Sequence, residues 1–308
     1  MSGGGPRNLT HAGRIAALGY DYVAREKEHV RECNLCGSRH HVELSRRDRY
    51  DYAAIMRLCA SCGLGFLSPR MTAAEYARFY EKTYRPLVSA HHGRLIDAAS
   101  VQAEQHTYAE ELIDFLDHTL GEAPATVLDV GGSTGVIAGA LTERLGVRAT
   151  VLDPAPEELT VAYGAGMETI EGFAENYNAD GRTWDLVLMC QTVDHLLDVH
   201  STLVAIRAMV AGGGHAYVDV VDLLFSIRRQ RSVEAAVKID HPHYLTRATA
   251  MAYFAIVGLE VVAERVSEDA HLFGFLLSPA KPAEPDWPRL RAGADALLDE
   301  VSGQRALN

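Results

Sequence analysis

Thr126-Val127-Leu128-Asp129-Val130-Gly131-Gly132-Ser133-Thr134-Gly135 joins a short apolar run to a glycine-rich turn, and a helical pattern continues to Leu145. A strand that ends in such a turn can bring its backbone close to a ligand, because glycine has no Cβ to hold the ligand away. Outward from this stretch, strand and helix patterns alternate. Strands are expected at 125–130, 149–153, 167–170, 185–190 and 215–221, the last after a Gly212-Gly213-Gly214 turn. Helices are expected at 134–145, 156–163 and 199–210. This rhythm implies βαβ units, a parallel sheet with helices on both faces. The rhythm breaks after a helix at 247–257 and Gly258, where runs 260–266 and 272–277 follow one another. Strands so closely joined pair only as an antiparallel hairpin. The expected class is α/β, with a closing antiparallel hairpin.

Around this domain, set at 121–279, the 308 residues divide further. Residues 1–30 read as a polar, partly helical arm and 31–70 as a Cys-rich module of two short hairpins. A helical connector at 71–120 ends at the breaker Gly121-Glu122-Ala123-Pro124, and a Pro-rich linker and helix occupy 280–308. The net charge of -12 is uneven: residues 1–85 carry 14 Lys and Arg against 9 Asp and Glu, the remainder 15 against 32. Overall negative charge argues against broad nucleic-acid or membrane-surface binding, which relies on Lys and Arg neutralising phosphates. No run of eighteen apolar residues occurs, and Met1-Ser2-Gly3-Gly4-Gly5-Pro6 lacks the layout of a signal peptide, so a cytoplasmic location is expected.

The glycines do not fit the dinucleotide fingerprint G-x-G-x-x-G: counted from Gly131, its later glycine positions hold Ser133 and Val136. The stretch instead resembles the D-x-G-x-G-x-G-type loop of class I S-adenosylmethionine (SAM)-dependent methyltransferases. Asp129, Gly131 and Gly135 match, Gly132 lies between them, and Ser133 replaces the middle glycine. Asp153-Pro154 ends the second strand 22 residues after Gly131, where the family's acidic residue accepts hydrogen bonds from the ribose hydroxyls. Glu171-Gly172-Phe173-Ala174-Glu175 resembles the segment framing the adenine, through Phe173 and Ala174. Trp184 to Gln191 supplies the next strand, with Cys190, a small core residue, and Gln191 beside the cofactor. Spanning roughly 125–278, the resemblance implies a Rossmann-like seven-stranded methyltransferase sheet with SAM as cofactor.

Cys33-Asn34-Leu35-Cys36 and Cys59-Ala60-Ser61-Cys62 are two CxxC knuckles 22 residues apart, each followed by glycine. Two such turns complete a tetrahedral Cys₄ zinc site, with reactive disulfides as the rival reading, and four sulfurs leave no open position for substrate, so the Zn2+ is expected to be structural. The stretch from Cys59 to Arg70, with Phe79, Tyr80 and Tyr84, resembles the zinc-binding lead-in of methyltransferases from bacterial sugar and natural-product biosynthesis. Some of those methylate a carbon of nucleotide-linked deoxysugars. They usually carry a further C-terminal domain, whereas only residues 280–308 follow the sheet here, so their substrate is not carried over.

Methyl transfer requires an aligned acceptor and, where that atom bears a proton, a base to remove it. His195 is the first candidate, with Asp194 orienting it where relatives show a Glu-His pair; the alternative is that this position caps the next helix. Asp240-His241-Pro242-His243-Tyr244 resembles the acid-His segment lining the family's acceptor pocket, which makes His241 and Tyr244 further candidates and leaves His243 facing solvent. Arg228, Arg229 and Arg231 lie in the insertion after the fifth strand, suited either to a phosphate or carboxylate of the substrate or to a solvated helix face. The expected activity is methylation of a carbon or hydroxyl of a small polar metabolite, sugar-like or nucleotide-linked. The alternatives are an RNA methyltransferase, suggested by Arg46, Arg47 and Arg49, and a non-catalytic SAM-binding protein. A homodimer is compatible with the sequence and not fixed by it.

Overall fold

A computed structural model describes residues 9–96, 98–268 and 271–307, so the opening Met1–Pro6 lies outside the described residues. Five short strands occupy the first part: β1 (Lys27–Glu28), β2 (His41–Ser45), β3 (Met56–Cys59), β4 (Gly65–Leu67) and β5 (Arg70–Met71). Then come β6 (Thr126–Val130), β7 (Arg148–Asp153), β8 (Glu168–Glu171), β9 (Trp184–Met189) and β10 (Val210–Val221). Last are β11 (His243–Tyr244), β12 (Leu259–Val266) and β13 (Leu272–Pro279).

Seven strands form one sheet in the order β12-β13-β10-β9-β6-β7-β8. Strands β6 to β10 are parallel, while β13 runs antiparallel to both β10 and β12. This is the α/β sheet with a closing hairpin that the sequence implies. The central strands are buried on both faces, through Val127, Leu128 and Val130 on β6 and Leu186 to Met189 on β9, as helices on either side require. The chain moves one way from β6 to β8 and the other way through β9 and β10, so β6 and β9 flank the crevice where α/β sheets take ligands, at the carboxyl ends of the strands.

Three local expectations differ. The Gly212–Gly214 segment lies inside β10, where the β10–β9 register shifts between Val210 and His215. The helix after β6 begins at Val136 because Gly135 takes a left-handed φ of 75°. The helical run after Arg70 divides at Thr83 into Ala73–Lys82 and Tyr84–His92.

The Cys-rich stretch forms an antiparallel meander of β2, β3 and β4, and β11 from far along the chain pairs with β4 as a fourth strand. Inside the first knuckle, Asn34 donates to Asp198 Oδ1 at 2.9 Å and accepts from Tyr253 Oη at 2.8 Å and from the His200 amide at 3.0 Å. Asp198 in turn caps helix Val199–Met209 through the Ser201 amide. The knuckle is thus bonded to the helical layer of the large sheet. Cys33, Cys59, Cys62 and Phe66 share a buried cluster with Leu128, Met189 and Val218 of that sheet.

Candidate functional site

At the carboxyl end of β6 the turn is held by crowding. A Cβ on Gly131 would meet Thr192 Oγ1 at 2.6 Å, and one on Gly132 would meet the Asp129 carboxyl at 2.7 Å. Ser133 adopts φ 53°, a left-handed conformation that glycine takes more readily. Its amide donates to Asp153 Oδ2 at 2.9 Å and its hydroxyl to Glu158. Asp153 Oδ1 accepts from the Ala155 amide at 2.9 Å, so both its oxygens accept from amides and each keeps a second lone pair for a ligand hydroxyl. Burial raises the Asp153 carboxyl above its ordinary value. Asp129 is buried with Oδ2 unpartnered, and burial, with Asp153 adding to it, pushes its carboxyl up to about 7. Pro154 and Ala174 lie beyond the ends of β7 and β8, and Phe173 at the same edge is 38% exposed. After β9, buried Cys190 leads into Gln191 at φ 51°, whose amide donates to Asp219 Oδ1 at 2.6 Å. A glycine cradle, two acids with free lone pairs and an exposed aromatic ring suit a cofactor bearing hydroxyls and a flat base.

A second set of groups gathers beside it. Asp194 Oδ2 lies 2.8 Å from Nδ1 of His241, which sets the ring proton on Nδ1 and leaves Nε2 as the acceptor. His241 Nε2 is 3.2 Å from Lys238 Nζ and 3.5 Å from Asp240 Oδ2. Although burial works to raise Asp194, His241, then His195 and Lys238, hold it well below the usual carboxylate range. The His195 ring is 4.6 Å from that of His241, and its Nδ1 lies 2.7 Å from Tyr80 Oη and 3.1 Å from the Asp240 carbonyl. Burial, then the neighbouring His241, lowers the His195 imidazole from its ordinary value. Asp194, Lys238, His241 and Tyr244 line a cavity of about 220 Å³ with Arg49 and Arg229.

Several expectations are corrected here. Asp194 does not orient His195 but His241: its Oδ2 meets His241 Nδ1, while His195 Nδ1 is taken by Tyr80 Oη and the Asp240 carbonyl. Neither Asp194 nor His195 caps the following helix; Asp198 does. His243 is buried rather than solvent-facing, with Nδ1 2.9 Å from the Leu196 carbonyl. Tyr244 Oη is committed to the Lys238 backbone, donating to its carbonyl at 2.6 Å and accepting from its amide at 2.8 Å, and burial raises its phenol well above the ordinary value. Arg228 makes two bonds to Glu300, at 2.9 and 2.8 Å, and Arg231 ends its helix exposed, so of the run only Arg229 lines the cavity.

Motif reading missed Lys238 and Asp48, and it named Tyr80 without a place at this site. Asp48 Oδ1 accepts the Tyr50 and Tyr52 amides and Oδ2 accepts the Ile239 amide at 3.1 Å, while Tyr76 Oη donates to the Ile239 carbonyl at 3.1 Å. Burial pushes the Asp48 carboxyl up to about 7. The Arg49 amide donates to the Val237 carbonyl and its guanidinium to that of Ala235. Segment 235–239 is therefore held by a loop of the Cys-rich stretch. The sequence carries no signal for this: Asp48 sits in the charged run Arg46-Arg47-Asp48-Arg49-Tyr50-Asp51-Tyr52, which reads as a solvated loop.

The four cysteine sulfurs lie within 4.8 Å of one another, with Cys33–Cys62 at 3.6 Å and Cys36–Cys59 at 3.5 Å. Four sulfurs at ~2.3 Å from a tetrahedral zinc would be about 3.8 Å apart, so the set fits the ion. Gly37 and Gly63, at φ 70° and 79°, donate to the carbonyls of Cys33 and Cys59 and close each knuckle. Asp194, His195 and His241 also converge within 4.8 Å, but the Lys238 amine against His241 opposes a second cation there.

Residues 103–264, more than half the chain, match the family model described as a methyltransferase domain, and the chain belongs to that family. It is a SAM-dependent methyltransferase. Ubiquinone biosynthesis O-methyltransferase of Xanthomonas oryzae pv. oryzae is 24% identical over 214 residues, 67% of this chain and 77% of the relative. The protein of that name from Methylocella silvestris is 28% identical over 183 residues, 58% of this chain and 60% of the relative. A SAM-dependent methyltransferase structure from Leishmania major superposes with a TM-score of 0.51 at 18% identity, covering 67% of this chain and 82% of that one, and shares the fold. Among the described residues no helix is long and apolar enough to cross a membrane.

Proposed function

We propose that the protein methylates a hydroxyl of a small polar metabolite that enters the cavity beside His241, with a carbon acceptor as the second reading. The Asp194–His241 pair at the carboxyl edge of the sheet carries this reading: a buried acid on Nδ1 leaves Nε2 in the basic state that proton removal needs. The names of the curated relatives favour oxygen as the atom methylated. When bound, the cofactor supplies an activated methyl group. Asp129, Gly131, Gly132, Ser133 and Gly135 would form its cradle, Asp153 would accept its ribose hydroxyls, and Pro154, Phe173, Ala174, Cys190 and Gln191 would border its base and methionine ends. Arg229 and Arg49 suit an acceptor that bears a phosphate or carboxylate. Cys33, Cys36, Cys59 and Cys62 would hold a structural Zn2+.

An RNA acceptor is disfavoured by the partners of the arginines that suggested it. Arg46 pairs with Glu43 at 2.7 Å and Arg47 with Asp51 at 2.9 Å, while Arg49 is held by the Ala235 carbonyl at the small cavity. The test is transfer of label from methyl-tritiated SAM to a panel of small phenols, sugar nucleotides and short RNAs. Labelled small acceptors, lost in His241→Gln, are expected; labelled RNA alone would overturn the reading.

A further inference from the structure

Resting on the reading of the His241 cavity as the acceptor pocket, we propose that Lys238 is the residue that meets the acceptor, taking its proton at Nζ in a chain that continues through His241 to Asp194. Three observations carry this. Both ring nitrogens of His241 are already engaged, Nδ1 by Asp194 and Nε2 by Lys238 Nζ at 3.2 Å, so an acceptor reaches Nε2 only by displacing the lysine. Lys238 and His241 both line the cavity, and the lysine amine lies against the ring nitrogen that faces away from Asp194. Its backbone is fixed on both sides, by Tyr244 at its own amide and carbonyl and by Asp48 and Tyr76 at Ile239. A lysine held this way is not a surface cation that happens to lie near a site.

The charges around Nζ suit a proton carrier. Burial lowers the Lys238 ammonium from its ordinary value; Asp240 and Asp194 work to keep it charged and Arg49 works against it. The same amine meets His241, with the His195 ring behind that one, and shares its cavity with Arg229, His243, Tyr244 and His271. In the proposed step one proton crosses the 3.2 Å gap between the two nitrogens. When it moves from Nζ to Nε2, Asp194 balances the imidazolium, and the Nζ lone pair is free. The acceptor X–H bond then breaks, its electron pair stays on X, and the proton bonds to Nζ. One proton in excess remains on the Lys238–His241 pair and leaves to solvent.

The chain has four lysines, Lys27, Lys82, Lys238 and Lys281, which makes peptide-level labelling simple. Trace acetylation of the unaltered protein with acetic anhydride from pH 6 to 11, read by mass spectrometry, is expected to give Lys238 a midpoint below those of exposed Lys82 and Lys281, because burial disfavours its ammonium. A midpoint at or above theirs, or no acetylation of Lys238 at any pH, would overturn the proposal. Lys238→Met and Lys238→Arg serve as the second arm, with an acceptor found by the labelled-methyl screen. Both should keep SAM affinity within about twofold and lose roughly 10²–10⁴ in kcat, since a guanidinium cannot give up its proton. If Lys238→Arg turns over normally while His241→Gln does not, the lysine's role is overturned and the pocket stands. If His241→Gln itself turns over normally, it is the reading of the pocket that fails.

Discussion

The two edges of the crevice are built in opposite ways. The core of the cofactor edge comes from one continuous stretch: the turn at 131–135 is bonded to Asp153, 20 residues from Ser133, and the helix that follows β7 brings Glu158 to the Ser133 hydroxyl. The acceptor edge is assembled from four distant segments. Tyr80 reaches His195 across 115 residues, Arg49 reaches Ala235 across 186, and Asp48 reaches Ile239 across 191. A loop that closes on itself keeps its shape while its own strands persist, whereas a wall made of docked segments depends on whatever docks them. Here the docking body is the Cys₄ stretch, tied in through Asn34, Asp48 and Arg49. The two edges should therefore fail separately.

Removing the metal should separate them most sharply. Structural zinc contributes on the order of 10 kcal/mol or more to the folding of a small module, so a strong chelator should release one zinc per chain and open residues 31–70 to protease. Turnover should vanish while SAM affinity, measured by calorimetry, stays within a few-fold. Purified protein with no zinc and four native thiols that titrate freely would rule the metal out. Parallel loss of SAM affinity would show that the edges are not independent.

Within the acceptor edge, His241→Gln should lower kcat by roughly 10²–10⁴ with SAM affinity unchanged. His195→Gln should cost less, because its Nδ1 is bonded to Tyr80 and the Asp240 carbonyl and burial already weakens the ring as a base. Rates of both single variants and the double from pH 6 to 9 decide between them; a normal rate and pH profile in the double variant would exclude both histidines. The cofactor edge should answer in the opposite sense. Asp153→Ala removes charge-assisted bonds worth roughly 1.5–3 kcal/mol each, so SAM affinity should fall at least tenfold while kcat at saturating SAM is largely kept. Unchanged affinity would remove Asp153 from the cofactor site.

This division also explains what could be read from the sequence. The alternation of apolar strands and helices, the Gly131–Gly135 turn and the interval to Asp153 are local patterns, and they carry the sheet, its closing hairpin and the proposed cradle. The paired knuckles are local too, and their sulfurs converge as the spacing implies. Which acid faces which histidine is not local. Asp194 stands beside His195 in sequence, yet its carboxylate meets His241. Lys238 has no motif, and its burial follows only from the docking of segment 235–239 under Asp48 and Arg49. The β11–β4 pairing, two residues on a strand far away in sequence, leaves no periodic trace either.

Asp219 lies between the edges and gives the smallest and most specific test. Its Oδ1 accepts the Gln191 amide that turns the chain at the end of β9, and its Oδ2 accepts from Tyr108 Oη at 2.5 Å. Burial, against the pull of those two bonds, pushes this carboxyl up to about 6 from an ordinary 3.8. A raised carboxyl favours the folded state below its unfolded value and loses that advantage as pH rises through 6, because the folded chain must then ionise a buried group that the unfolded chain ionises freely. The full loss, from pH 3.8 upward, is on the order of 3 kcal/mol, and about half of it falls above pH 5, a few degrees in Tm at most for a chain of this size. His195 and His243, lowered by burial, oppose this trend in acid, so the useful quantity is a difference between variants. Asp219→Asn keeps an oxygen for the Gln191 amide and an amide donor for Tyr108 Oη, but cannot ionise. Its Tm should therefore decline less than that of the unaltered chain between pH 5 and pH 8. Equal declines would mean that Asp219 does not change its protonation state in this range, against the raised value that burial gives it.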